Sequence, residues 1–134
     1  MISIEQVRAL LSLEQLERYL QQKPQGAPAG IVAGEQVKDS RGHEWGYSNV
    51  IALYLADQLG IERAYVDYSC VWMEGEAHPF DFGLATWEWV ETLLILLDDA
   101  IAGNDPMCRV ITREQVLALL PFVRAKISVS AQVK

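Results

Sequence analysis

The residues best suited to chemistry are two histidines and the carboxylates near them in sequence. His78 and Asp81 stand three apart around Pro79, with Glu74 and Glu76 just upstream. An imidazole with a neighbouring carboxylate works as a general base, because the carboxylate fixes its tautomer and raises its basicity. The same nitrogen and oxygen donors suit a divalent metal. His43-Glu44-Trp45 is a second cluster. It completes a two-histidine, two-carboxylate set only if the fold carries His43 to His78, and no spacing rule requires that meeting. Asp67 falls in an alternating segment beside Tyr65 and Ser69, where the three would hold a polar ligand if they lined a pocket. The ordinary roles for these groups are structural: a packed histidine, and a carboxylate on the wet face of a sheet. No cofactor and no metal is therefore expected.

The standard catalytic signatures are absent. There is no G-x-G-x-x-G, G-x-x-x-x-G-K-[ST], H-E-x-x-H or G-x-S-x-G. Cys70 has no basic neighbour in sequence to activate it. Cys108 has Arg109 beside it, but adjacent strand residues point to opposite faces. The pair reads as two buried, reduced thiols.

Charge carries more information. The 134 residues hold 11 Lys or Arg against 18 Asp or Glu, a net charge of −7. That argues against direct nucleic-acid binding, whose usual mark is a basic patch or stripe. Between Arg63 and Arg109 there is no Lys or Arg, while Asp67, Glu74, Glu76, Asp81, Glu88, Glu91, Asp98, Asp99 and Asp105 all fall there. Beyond Pro106 the balance reverses, with Arg109, Arg113, Arg124, Lys126 and Lys134 against Glu114. The chain has an acidic stretch followed by a basic end.

The elements that must position these groups are mainly helical. Ser3 with Gln6 makes a capping box, Ser12 with Gln15 repeats the start signal, and apolar residues then recur at helical spacing to about Gln22. Lys23–Gly30 is a loop rich in Pro and Gly, followed by a short strand at Ile31-Val32-Ala33. Residues 34–47 read as a long polar loop, of the kind that is often functional or mobile. Ser48 is expected to cap a helix that Gly60 closes. Ala64–Met73 alternates as one strand, and a turn at Glu74-Gly75-Glu76 offers it a hairpin partner.

Thr86–Ala102 gives the strongest helix. At about 100° per residue, Trp87, Trp89, Val90, Leu93, Leu94, Leu96, Leu97, Ala100 and Ile101 fill one half of its circumference. Glu88, Glu91, Thr92, Asp98 and Asp99 fill the other, with Ile95 alone among them. Met107–Ile111 is a further strand. Thr112 with Gln115 opens the last helix, Pro121 interrupts or kinks it, and the tail at 128–134 frays. Residues 3–12 and 112–121 match at six of ten positions, as two capped amphipathic helix starts would.

The expectation is a single α+β domain over 1–134, with three or four helices packed on a small sheet of two to four strands. No stretch without Asp, Glu, Lys or Arg is longer than Trp45–Ala56, too short to span a membrane. The first residues carry neither a basic n-region nor an apolar h-region, so a cytoplasmic location is expected. The apolar half-circle of the Thr86–Ala102 helix is wider than one packing partner needs, which predicts a homodimer. The leading functional expectation is a non-enzymatic binding or regulatory module. Its acidic surface, made by Glu88, Glu91, Ile95, Asp98 and Asp99, would engage a protein with a basic patch. The alternative is a small-molecule-binding protein, or a small acid/base or metal-assisted enzyme. Its site would lie near His78 and Asp81, with Glu74, Asp67, His43 and Glu44.

Overall fold

A computed structural model describes residues 3–32, 48–66, 70–73, 80–81, 84–99 and 109–133. Within them the fold is α+β, with helices packed on small antiparallel sheets. The elements run in the order α1 (Ile4–Leu10), α2 (Leu13–Gln21), β1 (Pro28–Val32), α3 (Val50–Leu59), β2 (Ala64–Val66), β3 (Cys70–Met73), β4 (Phe80–Asp81), α4 (Leu84–Leu97), β5 (Arg109–Thr112) and α5 (Arg113–Val133).

Local signals set most helix ends. The Gln6 N–H donates to Ser3 Oγ at 3.2 Å, and the Ser3 N–H donates back to Gln6 Oε1 at 2.7 Å, forming the expected capping box. Ser12 Oγ accepts from the Gln15 N–H at 3.1 Å and restarts the chain as α2. Thr112 and Gln115 exchange the same pair of bonds at the head of α5. Gly60 closes α3 in the left-handed region at φ 67°, where a side chain would be strained.

The cap of α3 is Asn49, not Ser48. Asn49 Oδ1 accepts from the Ala52 N–H at 3.0 Å, while its Nδ2 donates to the Val66 carbonyl at 2.8 Å. The amide makes both bonds at once because its acceptor and its donor sit on two different atoms. One buried side chain thus satisfies the first turn of α3 and the end of β2. Tyr54 in the same helix donates its O–H to the Leu10 carbonyl at 2.6 Å, tying α3 to the end of α1.

The strands form two sheets. In the first, β1 pairs antiparallel with β5, matching Gly30 to Ile111, Ile31 to Val110 and Val32 to Arg109. Gly30 sits at φ 142°, and a Cβ there would lie 2.7 Å from the Val50 backbone nitrogen. Glycine is what lets β1 lie against the first turn of α3. In the second sheet the order is β2-β3-β4.

The single strand expected over Ala64–Met73 is in fact a hairpin, pairing Ala64 with Met73, Tyr65 with Trp72 and Val66 with Val71. Alternation holds within each arm but changes phase between them. Ala64, Val66, Val71 and Met73 are therefore all buried, while Tyr65 and Trp72 are half-buried opposite each other. Residues 67–69, which include the expected site residue Asp67, lie outside the described residues. The hairpin partner expected after Glu76 is β4, which sets Phe80 opposite Val71 and Asp81 opposite Cys70.

The core joins residues from both sheets and all five helices. Val7, Leu16 and Leu20 come from the first two helices, and Ile51 and Leu55 from α3. Val90, Leu93, Leu94 and Leu97 come from α4, Ile111 from β5, and Val116, Leu120 and Val123 from α5. Burying each such side chain contributes roughly 1.5–3 kcal/mol before conformational entropy opposes it. Helix α5 continues through Pro121 to Val133, so the proline does not break it. The apolar 3-4 repeat of Val116, Leu120 and Val123 anchors the turns on both sides of the missing N–H.

Arg113, at the junction of β5 and α5, clamps the far side of the core. Its Nη1 donates to the Leu20 and Gln21 carbonyls at 3.3 and 3.2 Å, a cation at the negative end of α2. Its Nε lies 2.6 Å from Glu114 Oε2, and Glu114 Oε1 accepts from the Gly26 N–H at 3.0 Å. Desolvation, the largest single influence on the Glu114 carboxyl, pulls its pKa up. Hydrogen bonds from two backbone N–H groups and the Arg113 guanidinium outweigh it, and the net shift is downward. Among the described residues, no helix is long and apolar enough to cross a membrane.

Candidate acidic surface on helix α4

The α4 face is the one candidate surface whose residues all fall within the described part of the chain. Its apolar half behaves as the spacing predicts. Val90, Leu93, Leu94 and Leu97 are buried, and Trp89 and Leu96 are half-buried. Much of this burial comes from packing against α5. Ala100, Ile101 and the Trp87 side chain, expected on the same half, lie outside what is described, and the expected homodimer is not tested.

The polar half is less uniform than its sequence suggests. Glu88, Glu91 and Ile95 follow each other at spacings of three and four, which puts them on one stripe. Glu88 and Glu91 are half-buried, whereas Ile95 is 39% exposed. After Leu97 the chain continues into a wider, π-helical turn at Asp98 and Asp99. Asp99 is exposed. Asp98 is half-buried and already makes a contact within the chain. The surface a partner would meet therefore centres on Ile95 and Asp99, with Glu88 and Glu91 set back beside them.

Electrostatics make this arrangement costly. Carboxylates near a helix C-terminus face the negative end of the helix dipole, an unfavourable placement of about 0.3–1 kcal/mol per charge. The last turn of α4 holds no basic residue to offset them. Glu88 and Glu91, three apart, add a like-charge repulsion of roughly 0.2–0.5 kcal/mol. A cation brought to this end of the helix would relieve both.

The other expected site is mostly out of view. His43, Glu44, Asp67, Glu74 and His78 lie outside the described residues, so a meeting of His43 with His78 is untested. Asp81 is placed by its backbone in β4, opposite Cys70 in β3. Among the described residues, no three His, Cys, Asp or Glu side chains gather where they could hold a metal ion.

Three exposed apolar residues among those described are not singled out by their sequence context, the least exposed being Leu53 on α3 at 40%. Phe122 is 62% exposed on α5 and Val110 is 69% exposed on β5. The signal for Phe122 was its phase, since it falls off the Val116, Leu120 and Val123 stripe. The signal for Val110 was its place next to Ile111, which points the other way and is fully buried.

A third polar cluster lies between α2 and α3. The Tyr19 and Tyr54 rings meet edge to face at 5.1 Å, and Lys23 Nζ sits 5.0 Å from the Tyr19 ring centre. Burial raises the pKa of both phenols. That of Tyr54 is pushed up to about 12, and the carboxylate of Asp57 beside Tyr19 adds to the rise there. This cluster joins two helices. Compared with protein-family models, with curated proteins and with solved structures, the chain gives no match.

Proposed function

We propose that this protein is a non-enzymatic binding module whose working surface is the acidic side of α4, and that its partner is a protein with a basic patch. The observation that carries this reading is the exposed end of α4. Asp99 lies exposed beside a partly exposed Ile95, at the negative end of a helix with no basic residue in its last turn. Such a surface attracts a cationic partner over a distance of about a Debye length and gives it one apolar anchor on arrival. Glu88 and Glu91 extend the field without being fully exposed. The chain contains no Lys or Arg from residue 64 to residue 108, so no base on this segment weakens the field.

The test is capture at two ionic strengths. The immobilised full chain is exposed to extract from its own source at low salt, and bound proteins are identified by mass spectrometry. Retention of a protein with a basic surface, released as salt rises to about 0.5 M, supports the reading. Retention that is indifferent to salt, or of acidic proteins alone, overturns it.

A further inference from the structure

We draw no further inference here: the strongest candidate, the outward face of helix α5 with exposed Ala118, Phe122, Ala125 and Lys126, carries none because nothing in the structure shows what covers it.

Discussion

Helices α4 and α5 pack against each other but handle charge in opposite ways. In α5 the described arginines are tied into the fold. Arg113 holds the end of α2 and pairs with Glu114, and Arg124 makes a two-pronged contact with Glu17 of α2 at 2.9 and 3.4 Å. In α4 the acids have no basic residue on their own helix, and the most exposed of them stands at the helix end that least favours it. Arg113 and Arg124 of α5 thus stabilise the fold, while Asp99 of α4 stands at a helix end that disfavours it. A charge that costs stability is a better candidate for a role outside the fold than one the fold uses.

The comparison breaks most sharply at groups the fold uses. Replacing Asn49 by Ala removes the α3 cap and leaves the Val66 carbonyl buried without a donor. A loss of about 2–4 kcal/mol is expected in urea denaturation. Asn49→Ser keeps an acceptor for the cap and should recover only about 1 kcal/mol of that loss. A loss under about 1 kcal/mol for Asn49→Ala would show that the amide does not join α3 to β2.

Arg113→Ala should follow, at about 1–3 kcal/mol, because a guanidinium leaves two helix-end carbonyls and a carboxylate together. Arg113→Lys should recover little, since an ammonium lacks the planar fork that reaches all three. The half-exposed Arg124 gives a milder contrast: Arg124→Ala is expected to cost only about 0.2–1 kcal/mol.

Helix ends were the most legible part of the fold. Ser3 with Gln6, Ser12, Thr112 with Gln115, and Gly60 each act through neighbours a few residues away, so their spacing suffices. The Ala64–Met73 segment reads as one strand because strict alternation suits one long strand as well as two short arms, and only the antiparallel pairing separates them. The joining of Gly30 to Ile111 rests on contacts about 80 residues apart, which no local pattern encodes. On α4 the buried stripe was legible from its period. The half-burial of Glu88 and Glu91 and the internal contact of Asp98 depend on neighbouring segments and were not. Asn49 was overlooked because its second bond, to Val66, is long-range.

On the α4 side of the comparison the expected sign is opposite. Asp99→Lys should raise stability by about 0.3–1 kcal/mol, since it puts a cation where the helix dipole favours one. Thermal unfolding at low salt would read this as a small upward shift of the midpoint. A fall in stability would mean that the carboxylate is used by the fold after all.

The smallest effect near neutral pH comes from the tyrosines. An unfolded tyrosine ionises near 10, whereas Tyr54 in the fold ionises near 12. The folded chain therefore keeps a proton that the unfolded chain has lost. The stability linked to it is fully present below pH 10 and is lost as pH rises toward 12. Tyr19 shifts in the same direction and strengthens the trend. Tyr54→Phe should be flatter across that range in pH-dependent denaturation. An unchanged slope would place the effect elsewhere.

The central claim is that the exposed acids of α4 serve a partner and not the fold. The most direct measurement is side-by-side capture by the wild-type chain and the Glu91→Lys, Asp99→Lys double variant at low salt, with unfolding followed on both samples. The account predicts that the variant remains at least as stable and loses at least tenfold in retention of the basic protein. A folded variant that captures it as well as the wild type would contradict the claim.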